Sequence, residues 1–95
     1  MLKFEVFGKN NCAKCTSTKN KIAHVLKKTD RIGDVPVDFV DLDSVDGMAE
    51  GAFNDVSEVP TTILRDAVGQ PLARWDGRLP PSVEMIAYLA SPGGA

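Results

Sequence analysis

The chain has 95 residues, 43% of them hydrophobic and 25% charged, with a formal net charge of −2; this is ordinary composition for one small globular domain spanning 1–95. No apolar run approaches the ~20 residues needed to cross a bilayer, and the lysines lack the interleaved aromatics of a nucleic-acid surface. The opening MLKFEVFG alternates instead of forming an apolar block before a cleavage site, so the expectation is a cytoplasmic protein with no membrane partner.

Leu2, Phe4 and Val6 alternate with Lys3, Glu5 and Phe7, which reads as a strand with one well-buried face. A polar loop over 8–11 follows. From Cys12 the period becomes helical: Cys15, Thr18, Ile22, Val25 and Leu26 form one stripe, with lysines at 14, 19, 21, 27 and 28 outside it. The stretch 30–36, carrying Gly33, closes that helix, and 37–42 forms a second strand. The crossover between the two strands should be right-handed.

Asp43 or Ser44 can cap a second helix, in which Val45, Met48, Ala49 and Ala52 share a face and Gly47 and Gly51 weaken the pattern. After Val59-Pro60, residues 61–64 form a third strand. A turn over 66–71 leads to a fourth at 72–75, completing a hairpin. Pro80, Pro81 and Ser82 open a last helix with Val83, Ile86, Ala87 and Ala90 inward. A frayed tail is expected over 91–95. The order βαβαββα implies an α/β protein with a four-stranded mixed sheet and helices on both faces.

Charge is unevenly placed. Up to Arg31 there are eight Lys or Arg against Glu5 and Asp30; from Ile32 to Asp66 there is one Arg against nine Asp or Glu. Two solvated faces of opposite sign account for this. A basic collar that attracts acidic partners is the sharper alternative.

Cys12 and Cys15 are the only cysteines, and they stand at a strand-to-helix junction. The reactive species is the thiolate, and a free Cys with pKa ~8.5 is mostly protonated at neutral pH. The unpaired N–H groups and partial positive charge of a helix N-terminus lower that pKa at Cys12, with Lys14 and Lys9 adding positive potential. Cys15 lies one turn later on the apolar stripe and should be less exposed. The asymmetry suits Cys12 as attacking thiol and Cys15 as resolving thiol.

Metal binding and chance remain open on spacing alone. A structural zinc site needs four ligands, and His24 lies about 18 Å along the helix from Cys12 at 1.5 Å per residue. His24 is therefore neither a ligand nor the base for Cys12. Small copper chaperones place a CxxC similarly, and two thiolates suit Cu(I). Their motif carries a Met two residues before the first Cys, where Asn10 stands here, and their order βαββαβ ends on a strand. The stretch DLDSVDG at 41–47 fails as a calcium loop, because Val45 occupies a ligand position and no acidic residue closes it at Ala52.

Together, the CxxC opening the first helix, the Val59-Pro60-Thr61 tripeptide and the element order resemble the thioredoxin-like proteins, and within them the glutaredoxin branch. The resemblance runs from Leu2 to Leu89. Cys12-Ala-Lys-Cys15-Thr-Ser-Thr18-Lys19 looks like the C-x-x-C-x-x-T-K of redoxins that reduce ribonucleotide reductase, and Trp75-Asp-Gly77-Arg-Leu-Pro80-Pro81 loosely resembles their W-S-G-F-x-P-D. Asn11 replaces the tryptophan that thioredoxins place before the first Cys. The Tyr inside the motif and the Gly-Gly-x-Asp signature of glutathione-using glutaredoxins are missing.

The resemblance implies a dithiol–disulfide oxidoreductase and electron carrier, monomeric and acting on protein disulfides, with Cys12 as nucleophile and Cys15 as resolving thiol. It implies a cis Pro60 that keeps 59–61 near the sulfurs and excludes a bound metal, a Val59 backbone that pairs with substrate, and an uncharged floor at Thr61. Lys14 would tune charge or partner choice, and Trp75 is read as packing more than contact surface. No cofactor would be bound. NADPH would enter through a separate thioredoxin-reductase-like donor, which the departures favour over glutathione. A Cu(I) carrier using the same pair is the alternative, and a redox-inert binding domain the third reading.

Overall fold

The computed structural model describes residues 1–90; the tail expected over 91–95 lies outside them. The elements are β1 (Lys3–Gly8), α1 (Ala13–Lys28), β2 (Val37–Asp41), α2 (Val45–Phe53), β3 (Thr61–Arg65), β4 (Pro71–Asp76) and α3 (Ser82–Leu89). The sheet order is β2-β1-β3-β4. β1 pairs parallel with β2 and antiparallel with β3, and β3 pairs antiparallel with β4. Among the described residues, no helix is long and apolar enough to cross a membrane.

Alternation along β1 divides the sheet into two unequal faces. Phe4 and Val6 join Ile22, Val25 and Leu26 of α1, Met85 and Leu89 of α3, and Leu64 and Trp75 in one buried cluster. The α1 stripe expected from the sequence is the buried one. Trp75 is core, and its indole Nε1 donates to Glu84 Oε1 at 2.8 Å. Arg31 donates to the Leu89 carbonyl and ties the α1–β2 connection to the end of α3.

The opposite face carries Phe7 and Ile63, both buried, but also the Arg65–Glu5 pair at 2.6 Å. Arg65 also donates to Asn54 Oδ1 at the end of α2. At the foot of β1, burial favours the neutral form of Lys3, yet its bonds to Glu5 and Asp38 outweigh this and raise its pKa. That face is too charged to bury a wide apolar helix.

Two helices turn differently from the sequence reading. In α3 the inward residues are Met85 and Leu89, with Tyr88 half-buried, whereas Val83 is 74% exposed and Ile86, Ala87 and Ala90 face outward. The larger side chains bury more apolar area, and the Trp75–Glu84 and Tyr88–Leu72 hydrogen bonds fix the rotation. In α2, Val45, Met48, Ala49 and Ala52 do share a face, but it points to solvent; the buried residues are Gly47 and Gly51.

Ser44 caps α2, its hydroxyl accepting from Gly47 N at 2.9 Å. A Cβ on Gly47 would stand 1.6 Å from the Asp41 carbonyl oxygen, and one on Gly51 2.7 Å from Leu42 Cδ2. The glycines that weaken the helix are therefore what lets it approach β2. Helix propensity alone would make Gly47→Ala stabilising by ~1 kcal/mol. We expect the reverse, a loss of about 1–3 kcal/mol from overpacking, measured as a lowered urea midpoint.

Candidate active site

β1 delivers the chain to the top of the sheet at Gly8, and Asn11, in the left-handed region at φ 59°, turns it into α1. Asn tolerates that conformation better than most residues. Cys12 is the N-cap, extended at φ −118° and ψ 108°, and its Sγ accepts from the Cys15 backbone N–H at 3.1 Å. The first helical turn carries no acidic side chain. A sulfur held here lies in the field of the helix N-terminus, with no acidic side chain in that first turn to offset it.

Cys12 and Cys15 are disulfide-bonded, with their Cα atoms 5.2 Å apart. Cys12 is partly exposed, whereas Cys15 is 1% exposed. The space for the inner sulfur comes from Gly8, where a Cβ would stand 2.7 Å from Cys15 Sγ and 3.1 Å from the Phe39 ring. The Lys19 ammonium lies over the same ring, 4.3 Å from the Phe39 centroid.

The segment 59–61 arrives at the same end of the sheet, because Thr61 pairs with Phe7 just before Gly8. The Val59–Pro60 peptide bond is cis. Pro60 is buried, and Val59 is 37% exposed. Thr61 is buried; its hydroxyl donates to the Glu58 carbonyl at 2.7 Å and lies 3.2 Å from Asp76 Oδ1.

Gly77, noted in the sequence only as part of the Trp75–Pro81 resemblance, joins these parts. Its N–H donates to the Pro60 carbonyl at 2.8 Å, and its own carbonyl accepts from Lys14 Nζ at 2.7 Å. Its φ of 69° favours glycine, and a Cβ there would stand 3.0 Å from the Glu58 carboxylate, a tight contact. The Lys14 ammonium is thus engaged across the site, and Lys9 pairs with Asp43 at 3.9 Å. The basic collar near the cysteines is partly neutralised. No signal in the sequence could link Lys14 to a partner 63 residues away.

His24 is exposed on α1. Among the described residues, no group of three or more His, Cys, Asp or Glu converges on a metal position. The element order ends on a helix, unlike the βαββαβ of copper chaperones, so the copper-carrier alternative gains no support.

No protein-family model matches the chain, and neither does any curated protein sequence. Solved structures do match. An uncharacterised thioredoxin-like protein from Clostridium perfringens superposes with a TM-score of 0.81 at 21% identity, over 99% of this chain and 72% of that one. The chain has a thioredoxin-like fold. Thioredoxin-2 of the malaria parasite, described as a component of its protein secretion machinery, gives 0.74 at 23% identity over 95% and 82% of the two chains. Thioredoxin O2 of Arabidopsis thaliana, in its oxidised state, gives 0.72 at 21% over 95% and 73%. The Cys12–Cys15 pair, at disulfide distance, opens the first helix of that fold.

The packing makes a direct prediction. Gly8→Ala should lower the stability of the oxidised protein by roughly 1–3 kcal/mol, because Cys15 Sγ and Phe39 must both move. Urea unfolding of the two oxidised proteins measures this, and equal midpoints would contradict the close approach.

Proposed function

We propose that the chain is a dithiol–disulfide oxidoreductase that passes electrons to protein disulfides through Cys12 and Cys15. The observation that carries this reading is the unequal pair: one sulfur at a helix N-cap and partly exposed, its partner buried one turn along the helix. A helix N-terminus favours thiolate over thiol at Cys12.

In the reduced protein the Cys12 thiolate attacks one sulfur of a substrate disulfide. The other substrate sulfur leaves as a thiolate and takes up a proton. Cys15 gives up its proton and its thiolate attacks Cys12 Sγ, breaking the mixed disulfide. The substrate departs with both sulfurs as thiols, and the Cys12–Cys15 disulfide forms. Two electrons and two protons have then passed to the substrate.

The other assigned residues have supporting roles in this proposal. Among the described residues, the N–H and carbonyl of Val59 make no backbone hydrogen bond, which suits pairing with an extended substrate chain. Pro60 and Thr61 would form an uncharged floor beside the sulfurs. Lys14 would hold the turn between the cysteines against Gly77. The glutaredoxin-like branch rests on the C-x-x-C-x-x-T-K spacing. Recharging through a thioredoxin-reductase-like donor that draws on NADPH rests on the missing glutathione signature, with a glutathione-based donor as the alternative. Monomeric action in the cytoplasm completes the reading.

Cys12→Ser keeps an oxygen at the N-cap, a position serine fills well, so the fold should survive while turnover in a disulfide-reduction assay disappears. Cys15→Ser should still attack once and accumulate a mixed disulfide, visible by mass. Unimpaired turnover by Cys12→Ser would overturn the mechanism.

A further inference from the structure

The outward face of α2 is an exposed apolar ridge. Val45 is 78% exposed, Met48 54% and Phe53 86%, and Ala49 and Ala52 lie between them on the same face. Contiguous exposed apolar surface of this kind marks an interaction site more often than isolated exposed residues do. The ridge is there because Gly47 and Gly51 turn the opposite side of the helix onto β2.

Beside the ridge, between α2 and the edge strand β2, runs an open groove of about 450 Å³. Asp38, Val40 and Asp41 line it from the strand, and Asp46 and Glu50 from the helix. Asp46 and Glu50 take part in no ion pair among the described residues. Surface carboxylates left without counter-charges beside uncovered apolar side chains are complementary to a surface that brings both cations and apolar groups.

We infer that this face docks a basic, apolar-bearing segment of another protein, its cations in the groove and its apolar side chains over Val45, Met48 and Phe53. Nucleic acid and anionic lipid carry the wrong sign. A second copy presenting its own α2 would set Asp46 and Glu50 against the same carboxylates. A second copy presenting α1 would supply Lys27 and Lys28, but the exposed residues there, such as Thr16, Asn20 and His24, include no large apolar side chain to cover the ridge. The inference stands independently of the chemistry at Cys12 and Cys15.

The test titrates a synthetic peptide of leucine and lysine at helical spacing, and its leucine–glutamate counterpart, into the oxidised full-length protein while amide chemical shifts are followed. The expected result is perturbation concentrated between Asp38 and Phe53 by the lysine peptide alone. Asp46→Asn with Glu50→Gln should weaken binding about tenfold, and Met48→Ser with Phe53→Ser by a similar factor. Raising salt from about 0.02 to about 0.3 M should weaken the parent complex and affect the Asn/Gln variant less. All these variants should keep the parent's disulfide-reduction rate, so a failure here differs from a failure of the redox reading. Shifts centred elsewhere, equal binding of the glutamate peptide, or unchanged affinity in either double variant would overturn the proposal. So would sedimentation showing a dimer that Phe53→Ser dissociates, since the ridge would then be covered by a second copy.

Discussion

The inner sulfur of the pair needs space at the end of β1, and Gly8 is the residue that leaves it. Cys15 Sγ, the Phe39 ring and the Gly8 backbone share one small volume. Because Cys15 is held there, α1 starts at Ala13 and Cys12 falls at the N-cap, partly exposed. Because β1 ends there, its antiparallel partner β3 begins level with it, and the turn holding Pro60 arrives at the same end of the sheet. The site follows from where one strand stops.

The three parts of that site are joined by main-chain and side-chain bonds rather than by apolar packing. Gly77 accepts from Lys14 and donates to Pro60, while Thr61 binds back to Glu58 and Asp76. Beneath them the sheet divides the molecule. One face carries the apolar core under α1 and α3. The other buries little beyond Phe7 and Ile63, and the Arg65–Glu5 pair occupies its lower half. A short helix with a glycine edge fits that second face, and its apolar residues are left outside. The basic and acidic stretches of the sequence map largely onto α1 and onto the β2–α2 region.

Much of this was legible in the residues themselves. Strand β1 and helix α1 were clear because large apolar side chains repeat at one period over a long enough run. The chemistry of the cysteines followed from spacing, helix position and the burial expected of Cys15. In α2 and α3, each eight or nine residues long, small and large apolar residues fit more than one stripe. Rotation there is decided by residues outside each helix: Asp41 and Leu42 for α2, and Leu72 and Trp75 for α3. The same limit hid Gly77, whose role depends on Lys14 and Pro60. The geometry at Pro60 could be expected only through the family resemblance, since nothing local to Val59-Pro60-Thr61 specifies it.

The most direct test of the account is a thiol–disulfide titration of the purified, metal-free protein, with free thiols alkylated and counted by mass. The account predicts a single two-electron transition between two free thiols and an internal Cys12–Cys15 disulfide, at a potential within the span of roughly −120 to −270 mV of known redox-active CxxC proteins. Failure to form the internal disulfide, or only intermolecular products, would contradict it.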